Sequence, residues 1–163
     1  MIIRLKNKDT LICDDFKLKC CIGLKGFKKK KIEGDKSTPK GLFSLGKIYY
    51  RPDRVQKPKT NLLIKKINKN MGWSDDSNSK NYNSEIIIKK EEKFEKLFRK
   101  DNNYDYFIVI NYNTKQTKKL KGSAIFIHLT KNFYPTAGCI ALKKKDFLIL
   151  AKIINKKDKI KIG

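Results

Sequence analysis

The sequence predicts a mainly β fold, a β-rich α+β domain, and three observations predict it. The apolar runs are short and rich in Ile, Val, Tyr and Phe. Clusters of Gly, Pro, Asn and Asp separate them. Only two segments carry a helical repeat. With 163 residues the chain suits one domain over 1–163, with a core large enough to fold alone.

"MIIRL" (1–5) and "KLKCCIGL" (17–24) are strand-like runs, separated by the polar "KNKD" and an Asp-Asp turn. Residues 28–41, "KKKKIEGDKSTPKG", read as a basic, turn-rich loop punctuated by Pro39 and Gly41. "LFSLGKIYY" (42–50) follows as a strand, "RPDRVQKPKT" (51–60) as a loop and "NLLIKKI" (61–67) as a strand. Residues 68–84 are the longest polar segment and hold the only tryptophan, Trp73; "SEIII" (84–88) is a short strand. In "KEEKFEKLFRK" (90–100), Phe94, Leu97 and Phe98 recur at i, i+3 and i+4, which predicts a short amphipathic helix. "YDYFIVINYN" (104–113) and "SAIFIHLT" (123–130) are buried strands by their β-branched and aromatic content. "DFLILAKII" (146–154) places Phe147, Leu150, Ala151 and Ile154 on one helical face, and "KIKIG" (159–163) alternates as a closing edge strand.

The formal net charge of +24 attracts polyanions in general. Of 40 basic residues only Arg4, Arg51, Arg54 and Arg99 are arginine, and Lys, Asn and Ile are abundant together. That is the signature of an AT-rich coding sequence with lysine on solvated faces, so nucleic acid is not expected as the primary partner. An arginine retained in such a background is a candidate for work lysine does poorly, such as gripping a carboxylate bidentately. Cys13, Cys20 and Cys21 read as small core residues. One histidine and no C-x-x-C leave no zinc spacing, and no metal or cofactor is expected. No run of about 20 apolar residues is present. "MIIRLKNKDT" is charged too soon for a signal peptide, so cytoplasmic synthesis without a visible export signal is the expectation. A monomer is expected.

Chemistry concentrates in residues 125–142, "IFIHLTKNFYPTAGCIAL". A cysteine nucleophile needs a base, backbone N–H donors for an oxyanion, and an unobstructed approach. Ala137 and Gly138 lack bulk in front of Cys139, and His128 ends an apolar strand. By spacing alone two readings stand: a Cys139–His128 dyad, or a packed thiol and a satisfied core histidine.

These residues resemble the signature of the YkuD-type L,D-transpeptidase catalytic domain, in which a strand-end His is followed by Ser or Thr, one residue, then Gly-Cys. "EGDKSTPKGLFSL" is similar to the family's Gly-Asp-x-x-Thr-Pro-x-Gly-x-Phe segment, here Gly34, Asp35, Thr38, Pro39, Gly41 and Phe43. "YYRPDR", "GWSDD", "YN" at 82–83 and "GSAIFIH" resemble a branch common in proteobacteria, so the likeness spans about residues 2–154. It implies a β-sandwich with two short helices. It implies Cys139 as acylated nucleophile, His128 as general base oriented by the Leu129 carbonyl, and backbone N–H groups of Gly138 and Cys139 as the oxyanion hole. Thr136 would shape the loop. Many relatives carry His and Arg where this chain has Ala137 and Ala141, so a positive partner for a substrate carboxylate must come from elsewhere; Arg51 and Arg54 are the candidates, against the alternative of loop-surface charges. Trp73, with Asp75 and Asp76, either walls the pocket or anchors its loop while the aspartates cap turns. Ser123 either bonds within the site or begins a strand, and Tyr134 and Tyr112 are cleft candidates.

The implied reaction is acyl transfer on peptidoglycan stem peptides. Cys139 forms a thioester with a tetrapeptide stem, D-alanine leaves, and an amine of another stem resolves the thioester into a 3-3 or 1-3 cross-link. The expected place of action is the periplasm or cell envelope. The alternatives are a cysteine amidase or carboxypeptidase on a similar substrate, and a non-catalytic polyanion- or wall-binding module.

Overall fold

The structure, a computed structural model, describes all of residues 1–163. The first half of the chain forms β1 (Ile2–Leu5), β2 (Thr10–Cys13), β3 (Phe16–Cys21), β4 (Phe27–Lys28), β5 (Thr38–Pro39), β6 (Gly41–Tyr50) and β7 (Ile64–Lys66). The second half forms β8 (Met71–Ser74), β9 (Glu85–Ile87), β10 (Phe94–Lys96), β11 (Tyr106–Ile110), β12 (Phe126–Leu129), β13 (Ile140–Leu142), α1 (Lys144–Ile153) and β14 (Lys159–Ile162).

The main sheet runs β11-β12-β13-β3-β2-β1-β14-β6-β7, and β6 also pairs with β11, so the sheet folds back on itself. The corners are strands that serve two partners in succession. Residues 41–44 of β6 pair with β14 and residues 45–50 with β11. In β3, residues 16–19 pair with β2, while Cys20 and Cys21 pair with β13. A register shift between Ile108 and Ile110 accompanies the bend. The result is the expected mainly β domain, built on one sheet closed through the β6–β11 pairing.

Alternation along the strands assigns each side chain to a layer. Ile108, Ile110, Ile127, Leu129, Ile140 and Leu142 turn inward, where they meet Phe147, Leu150, Ala151 and Ile154 of the helical segment. Each such Ile, Leu or Phe side chain, fully removed from water, contributes about 1.5–3 kcal/mol. α1 has no side-chain N-cap, but Asp146 in its first turn and Lys152 in its last complement the helix dipole.

The opposite face of the same strands carries Phe107, Val109, Phe126 and Cys139. It is covered by Met71 and Trp73 of β8, by Leu97, and by Tyr104. β8 lies between β10 and β9 in a separate three-stranded sheet laid over the main one. Trp73 meets Phe126 edge-on, with ring centres 5.1 Å apart, and its Nε1–H donates to Asn83 Oδ1 at 3.0 Å. This is the anchoring role, not the pocket-wall role.

Four expectations are corrected. The helix expected over 90–100 does not form: Phe94, Glu95 and Lys96 pair antiparallel with Ser74, Trp73 and Gly72. Tertiary pairing overrides local helix preference here, because the segment buries Leu97 over the second core. The expected "two short helices" thus become one. The polar segment 68–84 holds a fully buried strand, "MGWS". β14 is not an edge strand, because it pairs with β1 on one side and β6 on the other. β2 was concealed between two polar turns and forms the hairpin with β3, whose turn places Asp14 at φ 53°.

Candidate active site

β12 and β13 are parallel neighbours, with His128 opposite Ala141. Cys139 stands two residues before Ala141, so period-two alternation puts Cys139, Ala141 and His128 on one face. That face is the outer one, under the three-stranded sheet. A cavity of about 610 Å³ opens there, lined by His128, Cys139, Gly138 and Thr136 among others.

The Cys139 loop is braced from two sides. Thr136 Oγ1 donates to the Cys139 carbonyl at 2.6 Å and accepts the Gly138 N–H at 3.1 Å. Across the chain, Thr38 Oγ1 donates to the Gly138 carbonyl at 2.9 Å and accepts the Gly23 N–H. Gly138 adopts φ 142°, and a Cβ there would stand 2.8 Å from the Ser37 carbonyl oxygen. Ser37 is itself held by Lys31, whose buried Nζ donates to the Ser37 carbonyl at 3.0 Å and to Asp35 at 2.7 Å. The segment around Gly34 to Pro39 is therefore the floor on which the Cys139 loop rests.

His128 is 8% exposed, and its Nδ1 lies 2.8 Å from the Leu129 carbonyl oxygen. A carbonyl only accepts, so Nδ1 carries the hydrogen and Nε2 keeps the lone pair. The Cys139 thiol donates to the Ala124 carbonyl at 3.2 Å and accepts the Phe126 N–H at 3.3 Å. It makes no hydrogen bond to His128 in this resting arrangement. The Cys139 N–H has no partner inside the protein, whereas that of Gly138 is engaged by Thr136.

Residues 2–162 match the family model of YkuD, the L,D-transpeptidase catalytic domain. The chain belongs to the YkuD family. No curated protein matches it. Among solved structures it is similar to the helical cell shape determining protein Pgp2 from Campylobacter jejuni, with TM-score 0.53 and 20% identity over 99% of this chain and 46% of that one. At that identity the likeness is one of fold, and this chain spans less than half the length of that protein.

Within the YkuD domain the charges of the site are set mainly by burial. Burial drives the His128 imidazole down to about 4, with Arg99 adding to the effect and the Leu129 and Asp101 interactions opposing it. Burial, then the Glu95 carboxylate, push the Cys139 thiol up to about 12, against the Phe126 N–H, Lys31 and Arg99. At neutral pH the pair is therefore an uncharged thiol and an uncharged imidazole. The sign of the stability effect follows: as pH falls from 6.5 toward about 4, the unfolded chain accepts a proton that folded His128 refuses, so the fold weakens across that window. Replacing His128 with Asn is expected to flatten urea-unfolding stability between those pH values.

Of the other expected site residues, Thr136, Ser123 and Tyr134 line the cavity; Ser123 is 8% exposed with an unpartnered hydroxyl, and Tyr134 is 75% exposed. Tyr112 does not line it, and its hydroxyl donates to the Lys121 carbonyl. Asp75 lines the cavity, while Asp76 caps a turn through the Asn78 N–H. Arg51 and Arg54 are corrected. Arg51 is 2% exposed, chelates Asp53 at 2.8 and 2.7 Å, donates to the Arg99 carbonyl and stacks over Phe98 at 3.4 Å. Arg54 donates to the carbonyls of Asp101 and Lys100 and to Asp105. Both are engaged by the protein itself, and both hold residues 99–101. The arginine that does line the cavity is Arg99, joined by Lys31, Glu33 and Glu95. Its rarity among 36 lysines was a signal equal to that of Arg51 and Arg54.

Proposed function

We propose that this protein is a peptidoglycan L,D-transpeptidase with Cys139 as nucleophile and His128 as base. The observation that carries the reading is the shared face of β12 and β13: a thiol and an imidazole on adjacent strands line one cavity, and the Leu129 carbonyl leaves His128 Nε2 unprotonated.

The thiol leaves the Ala124 carbonyl and turns to the carbonyl carbon preceding the terminal D-alanine of a tetrapeptide stem. Nε2 takes the thiol proton as the S–C bond forms, and the oxyanion is met by the Cys139 N–H, with that of Gly138 released from Thr136. Collapse breaks the C–N bond. The leaving D-alanine nitrogen takes the proton from His128, and a thioester remains on Cys139. An amine from a second stem attacks the thioester carbonyl, His128 accepts its proton, and collapse leaves the new amide, breaks the C–S bond and returns the proton from His128 to the Cys139 sulfur. No ion pair is needed at rest, because proton transfer accompanies attack. Water in place of the amine gives a carboxypeptidase outcome, and the identity of the attacking amine decides a 3-3 or 1-3 link. The site of action is then the cell envelope, with peptidoglycan stem peptides as partners. No helix here is long and apolar enough to cross a membrane.

The test is incubation with disaccharide-tetrapeptide and mass analysis of the products. A dimer lacking one D-alanine supports the reading, and monomer lacking D-alanine assigns hydrolysis to the same thioester. Unchanged substrate with folded protein refutes both. The pH profile adds a check: with His128 near 4, the acid limb of kcat/KM is expected close to that value, well below the usual histidine range.

A further inference from the structure

The main sheet has two outer faces. One, on β11, β12 and β13, lies under the three-stranded sheet and opens into the cavity beside Cys139. The other, on β3, β2, β1, β14 and the start of β6, is open to solvent. Both stretches turn their inner side chains into the same core, so the two outer faces point away from each other. Where Ile3, Leu5, Leu11, Leu18, Ile160 and Ile162 turn inward, alternation turns their neighbours out. The outward set includes Arg4 on β1, Lys17 and Lys19 on β3, and Lys159 and Lys161 on β14, all exposed. Register gathers them: Arg4 lies between Lys161 and Ile12, and Ile12 lies opposite Lys17.

No carboxylate interrupts this face. Asp9, Asp14 and Asp15 sit in turns at the strand ends, and Asp158 is buried. Strands about 4.8 Å apart set neighbouring cations within about one Debye length, so they act together on an anionic surface. Of the five, Lys19 alone has a side-chain partner in the protein, the Phe133 ring 4.9 Å away. Arg4 is the most informative member. Arg51, Arg54 and Arg99 each hold a carboxylate of the protein, and Arg4 holds none. With Lys6 and Lys161 it borders a cavity of about 230 Å³, and three converging cations suit a phosphate group. Ile2 and Leu42, 46% and 51% exposed, stand among the charges, opposite Lys159 and Lys161. The far side of the molecule differs. Residues 75–105, which include β9 and β10 of the covering sheet, hold eight of the 16 acidic residues and are nearly neutral, in a chain of net charge +24.

We propose that this open face docks the protein on an anionic lipid bilayer. The cations meet headgroup phosphates, and Ile2 and Leu42 enter the headgroup boundary. Interleaved cations and aliphatic side chains on an open sheet match a bilayer surface. The outward positions among the cations, Ile2, Thr10, Ile12 and Leu42, offer no aromatic ring for a base to stack on, which disfavours a nucleic-acid strand. A bilayer met by this face lies on the opposite side from Cys139, and the acid-rich covering sheet disfavours the reverse orientation. Under the transpeptidase reading the cavity then faces the peptidoglycan, although the docking itself does not depend on that reading.

The test is co-sedimentation with vesicles of equimolar phosphatidylglycerol and phosphatidylcholine, against phosphatidylcholine alone. Two variants of equal charge are compared. One changes Arg4, Lys17, Lys19, Lys159 and Lys161 to Gln; the other changes Lys29, Lys30, Lys115, Lys118 and Lys121, around the basic cavity beside Tyr112, to Gln. At about fivefold per cation, the first is expected to lose about 10²-fold or more in affinity for the anionic vesicles, and the second under about fivefold. Equal losses would assign the binding to net charge alone and overturn the proposal, as would wild type that ignores the anionic vesicles. Should the first quintuple variant not fold, Arg4→Gln alone carries the test, with an expected loss of about fivefold against none for Lys115→Gln. Tighter binding to a DNA duplex than to the vesicles at the same salt, lost in the first variant, would give the face to nucleic acid and refute the bilayer. A polarity-sensitive fluorophore on Leu42→Cys is expected to shift to the blue on vesicles, while one on Ile87→Cys, on β9 and 74% exposed, stays unchanged; the four native cysteines are buried. The reverse pattern overturns the orientation and with it the docking face. No readout involves Cys139, so a failed docking and a failed transpeptidase reading are told apart.

Discussion

Cys139→Ala is expected to abolish thioester formation and lower D-alanine release by about 10⁴-fold or more, while the protein stays folded. The cost in stability is small because the thiol makes two weak bonds, to the Ala124 carbonyl and from the Phe126 N–H, and the alanine methyl keeps most of its packing. Cys139→Ser retains both partners and is the cleaner control: its fold is unchanged, and its loss of activity isolates the sulfur. His128→Ala is expected to lose about 10²–10⁴-fold, the range for removing a positioned base. Intact-mass measurement after exposure to substrate or to a carbapenem reads the first effect directly. An adduct on wild type that persists in Cys139→Ala would move the nucleophile elsewhere. Full activity in His128→Ala would remove the base.

The second large effect is Gly138→Ala. The φ of 142° is strained for any residue with a side chain, and the new Cβ would stand 2.8 Å from the Ser37 carbonyl oxygen. Strain alone costs about 1–3 kcal/mol. The clash has no cheap relief, because Ser37 is pinned by Lys31 and Gly138 by Thr38. The loop must shift, which displaces Cys139. A misplacement of about 1 Å lowers turnover roughly 10²-fold. Gly26→Ala is the control: its φ of 70° is also strained, but its Cβ would meet only the flexible end of Lys8. It should lose stability without losing activity. Equal activity in Gly138→Ala and Gly26→Ala, by D-alanine release per folded protein, would refute the floor-and-loop account.

Much of the wall that carries His128 and Cys139 was legible along the chain because it is local. In "FIHL" and "GCIAL" the alternation that buries Ile127, Leu129, Ile140 and Leu142 also sends His128, Cys139 and Ala141 to the other face. That the two strands lie side by side and parallel is a tertiary fact. The charged wall was not legible: Glu95 sits in a segment of strong helical period, yet it forms a strand because β8 offers a pairing edge and the second core needs Leu97. Arg51 and Arg54 were sound candidates by residue type, and only the fold reveals that their carboxylate and carbonyl partners belong to the protein.

The β-rich class, the family resemblance and the residues offered for chemistry could be read along the chain, because they follow from compositions and motifs spanning a few residues. The place of Arg99 on the cavity, the bracing of Gly138 by Lys31 and Ser37, and the anchoring of β8 by Trp73 emerge only once the chain is folded. These depend on contacts between segments tens of residues apart, which no local pattern encodes.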